Sequence, residues 1–527
     1  MRRMTQTARV PRPRQALAEP APPSEPATGI PDVVRRRLSP LALDPYAWPA
    51  ALFVTLLAGL LRLNNLASPP GKMFDETYYA TDAHWLWEKG FEWNEKENTT
   101  GYVVHPPLGK WIIGLGEQIF GYNELGWRIS AAVFGTLSVL MLTRIAMRMF
   151  GSVILGCAAG LLMAFDGMHF VLSRVAMLDI FLMFFVLAAF GALVLDRDQR
   201  RARWLRFVAA GGDPTAKGRR SRPPGEVPWW RLAAAVLFGC ALAVKWSALA
   251  FAPVLVLLVL WWEVGARRSA GVRRPIRDTI LDETGWVLAG LPLTAGVYLA
   301  SWAGWLSTDG GYARHWLRDS GQDETPFLGA LRNLAQYHEL AYGSHQAITE
   351  AHSYQSVGEW APIQWLLLGR PVLFYRSDAP LCGADKCNAD VLLLGTPLLW
   401  WAFLPALLAA IWFGIARRDW RAGAVLAMTA AALVPWFFFP ARTMFYFYAL
   451  PAEPFLILAV VFVLGAAMTP PPGRPPNPDR QLYGAVMAGT FVLLVAVVFA
   501  YYHPLYTGGS LPYEDWSRRI LLGNLWI

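Results

Sequence analysis

Charged side chains are scarce in this chain of 527 residues: only 16% of its residues are Asp, Glu, Lys or Arg, whereas 55% are hydrophobic. Soluble globular domains carry nearer one quarter charged residues, so the composition excludes an ordinary soluble protein. Apolar runs of roughly 20 residues recur, and each is long enough to cross a hydrocarbon layer about 30 Å thick. These runs lack the alternation of apolar and polar residues that is typical of a transmembrane β-barrel. We therefore predict an all-α polytopic membrane protein.

The apolar runs predict about eleven transmembrane helices, at residues 47–66, 126–147, 151–168, 175–195, 229–246, 248–264, 284–303, 391–415, 421–439, 443–466 and 482–502. Arg residues are concentrated in alternate connections between these helices, for example at 35–37 and 267–274. The positive-inside rule places the Arg-rich connections in the cytoplasm. We therefore expect a plasma-membrane protein with a cytoplasmic N-terminus and an extracytoplasmic C-terminus.

This topology divides the chain into five parts: a disordered cytoplasmic tail at 1–45, an N-terminal membrane module of seven predicted spans at 46–303 with an outer loop at 67–125, a second outer loop at 304–390, a C-terminal module of four predicted spans at 391–503, and an outer tail at 504–527. Neither an internal repeat nor an inverted pair of broken helices is visible. Both are typical of secondary transporters, so the pattern argues against that class.

Cysteine is rare, with four residues in the chain. Cys157 and Cys240 fall inside predicted spans, where cysteine behaves as a small core residue. Cys382 and Cys387 lie in the second outer loop, on the oxidising side of the membrane, which favours a disulfide between them. No nearby Cys or His completes a tetrahedral set, so zinc binding by this pair is disfavoured.

The first outer loop carries several ionisable residues. Asp75 and Glu76 are adjacent, and the sequence His-Pro-Pro-Leu-Gly-Lys joins His105 to Lys110. A carboxylate near an apolar interface has its pKa raised towards neutrality and can act as a general base. The alternatives are that one of the acids only caps a helix starting near Thr77, and that Lys110 only extends towards lipid head groups.

Further charged residues lie at the outer ends of predicted spans, where an ionisable group is costly to bury and is usually functional. They are Arg128, Arg174, Asp179, Lys245 and Arg442. The topology deduced from loop charges places all of them on the same side as Asp75. We therefore expect one outward-facing site, in which cations bind a phosphate and acids act on a hydroxyl. An alternative for Arg174 and Asp179 is a structural ion pair.

Several motifs, in this order, resemble the protein O-mannosyltransferases of the glycosyltransferase-C class, and in particular their actinobacterial members. The motifs are Phe74-Asp-Glu-Thr-Tyr78, His105-Pro-Pro-Leu-Gly-Lys110, Arg128, Ser173-Arg-Val-Ala-Met-Leu-Asp179, Val244-Lys-Trp246 and Met444-Phe-Tyr-Phe-Tyr448. The resemblance covers about residues 47–502, and the family's eleven-span topology agrees with the count above. One departure is that eukaryotic members carry a β-trefoil domain in the second large outer loop, for which 304–390 is too short.

The resemblance implies transfer of mannose from a polyprenyl-phosphate mannose donor to Ser or Thr hydroxyls of exported proteins, with inversion to an α-O-mannoside. Asp75 matches the family's catalytic acid and would deprotonate the acceptor hydroxyl. The acceptor contacts implied are Glu76, Tyr78 and His105. The donor-phosphate contacts implied are Arg128, Lys245 and Lys110. The supporting residues are Arg174, Asp179 and Arg442.

Such a mechanism needs no nucleotide, and Arg and Lys can take the place of a metal at the phosphate. The outer loops contain no Asp-x-Asp motif, so we expect no cofactor and no metal. The expected partners are polyprenyl-phosphate mannose, secreted or lipoprotein polypeptides and membrane lipids, with the protein export machinery as a further candidate and no nucleic acid. The alternative function is a lipid-linked sugar transferase that acts on a cell-wall glycan or a lipid.

Overall fold

The computed structural model describes residues 32–39, 44–101, 104–216, 218–356, 358, 360–377, 380–469, 475 and 477–526. Most of the predicted tail at 1–45 lies outside the described residues. Within it, residues Asp32–Leu38 form helix α1. Leu38 is buried in a small cluster with Trp204 and Ala266. The expectation that the whole of 1–45 is disordered is therefore wrong for α1, because Leu38 gives this helix an apolar contact.

The described residues are mostly helical. The first half contains α2 (Ala47–Leu63), α3 (Glu76–Lys89), α4 (Leu108–Phe120), α5 (Glu124–Phe150), α6 (Val153–Ala164), α7 (Gly167–Leu172), α8 (Leu178–Ala209), α9 (Trp229–Val244), α10 (Phe251–Ala270) and α11 (Pro275–Ser301). The second half contains α12 (Ala303–Ser307), α13 (Trp316–Asp319), α14 (Leu328–Ala347), α15 (Ala361–Leu366), α16 (Pro397–Arg417), α17 (Trp420–Leu433), α18 (Glu453–Met468), α19 (Pro478–Thr507) and α20 (Tyr513–Arg518). Short 3₁₀ turns occur at Gly218–Ser221, Trp246–Ala250, Val434–Phe438, Tyr446–Ala452 and Gly523–Leu525.

Among the described residues, eight helical segments are long and apolar enough to cross a membrane, and they include α5, α8, α11 and α19. Three shorter apolar helices are α2, α6 and α9. These segments coincide in position with the predicted spans, and the all-α membrane fold is confirmed. The total of eleven spans stays a prediction, since α6 with 12 residues and α9 with 16 are shorter than the length that spans a bilayer unaided.

Helix α8 is longer than the predicted span at 175–195, since it continues to Ala209. The extension carries charged residues that are buried against three neighbouring helices. Arg231 of α9 makes ion pairs with Asp196 of α8 at 2.7 Å, with Glu263 of α10 at 3.1 Å and with Glu283 of α11 at 2.7 Å. Buried charges are tolerated only when they are paired, so this cluster joins α8, α9, α10 and α11 at their Arg-rich ends.

Close helix packing depends on small residues, as is usual inside membranes. A Cβ added to Gly160 of α6 would lie 2.0 Å from Oγ1 of Thr143 in α5, and one added to Gly156 would lie 2.1 Å from Cγ of Met147. Helices α5 and α6 therefore pack so closely at these two glycines that a larger residue would force the neighbouring atoms to move. This contact fixes α5, whose first turn lies beside the outer loop at 67–125.

Short antiparallel strand pairs occur in both outer loops. Strand β1 (Trp93–Asn94) pairs with β2 (Thr99–Thr100) in the first loop, and β3 (Val372–Arg376), β4 (Cys387–Asn388) and β5 (Asp390–Leu393) follow in the second. Strand β3 pairs with β5, with a register shift between Leu373 and Tyr375. Strand β4 pairs with β6 (Leu511–Pro512) near the C-terminus. The segment 504–527 is therefore tied to the loop at 304–390.

The disulfide predicted between Cys382 and Cys387 is confirmed, with a Cα–Cα distance of 5.8 Å. It closes a short turn immediately before β4. The C-terminal end packs nearby: Trp526 is fully buried and donates from Nε1 to the carbonyl of Leu368 at 2.7 Å. Cys157 and Cys240 are free thiols, as expected from their places inside predicted spans.

Candidate active site

A cavity of about 590 Å³ lies between the start of α10, the end of α14 and the 3₁₀ turns at Val434–Phe438 and Tyr446–Ala452. Most of its wall is apolar. Its polar side chains come from separate segments of the chain and include His105, Asp179, Lys245, His345, Arg442 and Tyr448. A mostly apolar cavity with a few converging polar groups is the usual form of a small-molecule site, so this cavity is the candidate active site.

One side of the cavity is bordered by large apolar side chains that remain exposed, namely Leu249, Phe438 and Phe439. Leu249 and Phe438 lie at the ends of the apolar segments Trp246–Ala270 and Trp420–Phe438, and Phe439 directly follows the second segment. An exposed apolar border beside a cavity that contains a few charged groups suits a ligand with a charged head group and a hydrocarbon tail.

Lys245 follows α9, which ends at Val244 because the backbone becomes extended at Lys245 (φ −148°, ψ 139°). Its Nζ lies 2.7 Å from Oδ2 of Asp179, in the first turn of α8. Both side chains are nearly fully buried, so each charge needs the other. The alternative ion pair between Arg174 and Asp179 is therefore wrong, because the partner of Asp179 is Lys245. Both residues line the cavity.

Arg442 and His345 form another part of the wall. Arg442 donates to the backbone carbonyl of His345, and a second guanidinium nitrogen lies 3.4 Å from Nδ1 of its ring. His345 donates from Nε2 to the carbonyl of Val104 at 2.7 Å. Burial, together with the charge of Arg442, lowers the pKa of His345 to about 4, so the ring is neutral at pH 7. Nε of Arg442 has no hydrogen-bond partner among the described residues, so one N–H is left for a ligand.

His105 lies between this wall and the first outer loop. The centre of its ring is 5.2 Å from that of His345 and 6.3 Å from that of Tyr79. Burial lowers the pKa of His105 well below its ordinary value, and the charge of Lys245 adds to the effect. The sequence-predicted His105 is thus brought to the cavity as a neutral imidazole.

Asp75 is held between two anchored neighbours. The ring of Phe74 stacks on that of Phe374 at 4.8 Å, and the backbone of Phe74 adopts the left-handed conformation with φ 49°. On the other side, Glu76 begins α3 and is fully buried. Left-handed backbone at a residue other than glycine is costly and is often found at functional sites. The two anchors leave little freedom to the carboxylate between them.

The Asp75 side chain does not cap α3, since it makes no capping hydrogen bond to the first turn. Burial raises its pKa from 3.8 to about 6, with the nearby charge of Lys245 opposing the rise and that of Asp179 adding to it. The carboxylate therefore lies within electrostatic reach of Lys245 and Asp179, which line the cavity. A carboxylate with a pKa near 6 is well suited to accept a proton at neutral pH.

The carboxylate of Glu76, which is a predicted acceptor contact, is saturated by bonds within the protein. Oε1 accepts from Nε of Arg128 at 3.0 Å and from the backbone N–H of Ala176 at 2.9 Å. Oε2 accepts from Nη2 of Arg128 at 2.9 Å and from the backbone N–H of Met73 at 2.9 Å. A carboxylate has about four acceptor positions, and all are used within the protein.

The guanidinium of Arg128, which is a predicted phosphate contact, is likewise saturated by bonds within the protein. Besides its two bonds to Glu76, Arg128 donates from Nη1 to the carbonyls of Pro69 at 2.7 Å and Leu66 at 3.5 Å, and from Nη2 to that of Gly71 at 2.7 Å. A guanidinium has five N–H donors, and each is occupied. Arg128 is completely buried and holds the entry to the first outer loop instead of a ligand.

Lys110 is also a structural residue and does not contact the cavity. It is fully buried, with Nζ 3.1 Å from Oδ2 of Asp82 and 3.3 Å from Oε1 of Glu92. The alternative that Lys110 extends to lipid head groups is therefore wrong, and its phosphate role stays a prediction. Its two acidic partners place it between α3 and the start of the β1–β2 hairpin.

Arg174 supports the end of α2 and does not reach the cavity. It donates from Nη1 to the carbonyls of Arg62 and Asn64 at 2.7 Å each, and from Nη2 to that of Asn65 at 2.8 Å. Tyr78 lies on the outer face of α3 with 66% of its surface exposed. Its predicted contact with the acceptor stays a prediction.

Sequence reasoning missed His345. A signal was present, because histidines recur every seven residues at His338, His345 and His352 in a chain with only eight. The pattern alone could not place any of them against Arg442, which is 97 residues further along the chain. Among the described residues, no group of three or more His, Cys, Asp or Glu side chains is arranged to hold a metal ion. Independence from metal stays a prediction.

Comparison with known proteins gives two family models that match this sequence. Residues 52–212 match dolichyl-phosphate-mannose-protein mannosyltransferase, and residues 330–525 match the C-terminal four-TMM region of protein-O-mannosyltransferase. The polyprenol-phosphate-mannose–protein mannosyltransferase of Mycolicibacterium smegmatis is 39% identical over 487 residues, which cover 90% of this chain and 92% of that one. The protein of the same name from Mycobacterium tuberculosis is 37% identical and covers 90% and 91%.

The architecture also has a counterpart among solved structures. The S. cerevisiae protein O-mannosyltransferase Pmt1–Pmt2 complex bound to the sugar donor superposes with a TM-score of 0.67 at 14% identity, over 94% of each chain. The fold is therefore that of the glycosyltransferase-C membrane enzymes, as predicted. The similarity over nine tenths of the sequence is more specific: the chain belongs to the polyprenol-phosphate-mannose–protein mannosyltransferase family.

Proposed function

We propose that this protein transfers mannose from polyprenyl-phosphate mannose to Ser and Thr hydroxyls of exported proteins, and that the product is an α-O-mannoside. The observation that supports this most directly is the position of Asp75. Its carboxylate is raised in pKa by burial, makes no capping bond, and lies within electrostatic reach of the Lys245–Asp179 pair that lines the cavity. A base and a phosphate cation are thus available at one site.

The donor phosphate is bound by Lys245 and Arg442. Lys245 brings a buried ammonium to the wall, and Arg442 has an N–H without a protein partner. The prenyl chain follows the exposed apolar border formed by Leu249, Phe438 and Phe439. This assignment replaces Arg128, whose donors are occupied by protein groups, and Lys110, which is buried between two acids and does not line the cavity. Two cations at the leaving phosphate stabilise the charge that develops as the sugar departs.

Transfer is a single displacement at the anomeric carbon. The acceptor hydroxyl oxygen attacks C1 of mannose from the face opposite the phosphate, and the C1–O bond to phosphate breaks. The bonding electrons leave with polyprenyl phosphate, and the hydroxyl proton passes to Asp75. Displacement from the opposite face converts a β-linked donor into an α-mannoside. Tyr78 and His105 are the proposed acceptor contacts, since Tyr78 is exposed on α3 and His105 borders the cavity.

The site faces the outside of the plasma membrane, with the N-terminus in the cytoplasm and the C-terminus outside. The distribution of Arg residues among the connections supports this orientation. The acceptors are secreted or lipoprotein polypeptides, and the protein export machinery is a candidate partner because its substrates emerge on that side. Membrane lipids surround the apolar helices. Lys245 and Arg442 neutralise the phosphate, so no metal or other cofactor is required.

The experiment that tests this function uses membranes with radiolabelled polyprenyl-phosphate mannose and a Thr-rich peptide. We expect label in the peptide, release of that label by α-mannosidase, and equal transfer with and without EDTA. The matched control is the Asp75→Asn protein at equal abundance, which should not label the peptide. Label that enters lipid or glycan while the peptide stays unlabelled would favour the alternative transferase. Loss of transfer in EDTA would contradict metal independence alone.

A further inference from the structure

Three polar side chains from separate elements are joined by hydrogen bonds behind the cavity wall. Trp246, in the 3₁₀ turn after Lys245, lies with Nε1 2.9 Å from the hydroxyl of Tyr298 in α11. The Tyr298 hydroxyl lies 2.6 Å from Nε2 of His338 in α14. Nδ1 of His338 lies 2.6 Å from the carbonyl of Leu334, one turn earlier in the same helix. We call these three side chains the Trp246–Tyr298–His338 relay.

The chemistry of the groups fixes the direction of each bond. A carbonyl only accepts, so Nδ1 of His338 carries a hydrogen and donates to Leu334. Burial lowers the pKa of His338, so the ring is neutral and Nε2 accepts from the hydroxyl of Tyr298. An indole N–H only donates, so Trp246 donates to the oxygen of Tyr298. Each polar atom of the relay is satisfied in one arrangement only.

Aromatic contacts also connect the relay with the cavity. The ring of Trp246 stacks on that of His338, with centres 5.4 Å apart and planes inclined by 21°, and it contacts the ring of His345 at 5.6 Å. Trp246 itself lines the cavity and directly follows Lys245. His345 is bound to Arg442. The indole ring of Trp246 therefore links the two proposed phosphate cations: it directly follows Lys245 in the chain, and it contacts His345, which is bound to Arg442.

We infer that Tyr298 and His338 are positioning residues, which orient Trp246 and thereby set the spacing between Lys245 and the His345–Arg442 wall for the phosphate of the lipid-linked sugar. The inference rests on the proposed function, because it concerns the donor site of that reaction. Neither Tyr298 nor His338 is among the residues that line the cavity. Tyr298 lies on α11 and His338 on α14, so the relay ties the wall of the cavity to two helices that lie outside the chain segment carrying Lys245.

The test compares two substitutions of His338 that separate its two hydrogen bonds. In His338→Gln, the side-chain amide reaches the position of Nε2 and can accept from Tyr298. In His338→Asn, the shorter amide reaches only the position of Nδ1, so the bond to Tyr298 is lost. Tyr298→Phe removes the central hydroxyl and leaves the indole N–H of Trp246 without its acceptor. Tyr501→Phe, on α19 away from the cavity, is the matched control for loss of a hydroxyl.

Two measurements on the purified full-length protein decide the matter: direct binding of polyprenyl-phosphate mannose in the absence of acceptor, and the KM for donor and for peptide. A buried hydrogen-bond donor that is left without an acceptor lowers the affinity of a site for its ligand by about 5- to 30-fold. We expect losses of this size in donor binding, with a matching rise in donor KM, for Tyr298→Phe and His338→Asn. His338→Gln should regain most of the affinity, and Tyr501→Phe and the peptide KM should be unchanged.

A role limited to folding would lower the maximal rate by lowering the active fraction, without changing the affinity of the protein that remains folded. Unchanged donor binding in Tyr298→Phe, equal affinities in the Gln and Asn variants, or no donor binding by the wild type would each overturn the inference. If the wild type binds donor but labels no peptide, the proposed function fails, whereas the binding series still decides the role of the relay.

Discussion

Glu76 and Arg128 form an ion pair in which both side chains are fully shielded from solvent and two N–H···O bonds of 2.9 and 3.0 Å join the guanidinium to the carboxylate. The pair connects the first turn of α3 to α5. Through Arg128 it also holds the carbonyls of Pro69 and Gly71. The residue next to Glu76 is Asp75, so the pair fixes the backbone from which the proposed base projects.

The first prediction concerns this pair. Glu76→Gln should destabilise the protein by about 3–5 kcal/mol, since removing one partner leaves a buried charge uncompensated. We expect a lower midpoint of thermal unfolding and lower activity, with the peptide KM unchanged in the protein that remains folded. The matched control is Asp515→Asn, which removes an exposed pair with Arg518 and should cost at most about 1 kcal/mol. A specific rise in peptide KM without loss of stability would restore the acceptor role for Glu76.

The second prediction separates the two interpretations of Asp75. Asp75→Asn keeps the size of the side chain but removes its capacity to take a proton. General-base catalysis is typically worth about 10²–10⁴-fold in rate, so we expect a loss of at least roughly 10² in kcat. Donor binding and thermal stability should be retained, because the side chain makes no capping bond to α3. A normally folded Asn variant with near wild-type turnover would remove Asp75 from the mechanism.

The third prediction follows from the pKa of Asp75, which is about 6. The base must be ionised to act, so kcat/KM should rise with pH through a midpoint near 6 and level off above it. The contribution of Asp75 to the free energy of unfolding should change in the opposite direction and decrease as the pH rises. Because the folded pKa lies above the unfolded value of 3.8, the contribution of Asp75 to stability is complete below about pH 3.8 and is lost as pH rises through 6. Both trends should disappear in Asp75→Asn. A rate profile that is flat between pH 5 and 7 would contradict this assignment.

The lengths of the apolar runs predicted the membrane fold, and the position of two cysteines in an outer loop predicted the disulfide. The cost of burying charges at the ends of apolar runs predicted one shared site, and in the structure Asp179, Lys245 and Arg442 line one cavity with Asp75 within electrostatic reach. The same argument did not predict that Glu76, Arg128 and Lys110 are paired with other protein groups. A buried charge needs a partner, but a sequence does not reveal whether that partner is a substrate or another part of the protein.

The remaining features depend on contacts between distant segments. Arg128 meets Glu76 across 52 residues, and Tyr298 meets His338 across 40. No local pattern encodes such pairings, since helix periodicity constrains only residues three or four apart. The extension of α8 to Ala209 was likewise hidden, because its Arg-rich sequence is typical of a solvated cytoplasmic segment. In the structure Arg200 of this extension pairs with Glu263 and Glu283 of other helices, and Asp196 pairs with Arg231 of α9.

The fourth prediction distinguishes binding of the donor by Lys245 from its structural pairing with Asp179. Lys245→Ala should weaken both stability and donor binding, since it leaves the carboxylate of Asp179 buried without its partner. In the double variant Lys245→Ala with Asp179→Ala, most of the stability should return, because no unpaired charge remains. Donor affinity should stay at least about tenfold lower, as expected when a charged hydrogen bond to the phosphate is lost. Recovery of donor affinity in the double variant would show that Lys245 acts only through Asp179.

The fifth prediction contrasts the buried ion cluster around Arg231 with the loop beside it. Arg231 contacts Asp196, Glu263 and Glu283 and is nearly fully buried, so Arg231→Met should lower stability by about 3–5 kcal/mol because three acids lose their common partner. Replacing residues 213–219 by an equally long Gly-Ser segment leaves the cluster intact. Turnover of that variant should stay within a few-fold of wild type, since no described residue of this loop belongs to the cluster or lines the proposed donor cavity. Thermal unfolding of the Arg231→Met protein and initial rates of the loop variant, measured at equal abundance, check the two parts of this prediction. A loop variant that inserts normally but is inactive would place part of the active site on the side of the membrane opposite to the one we propose.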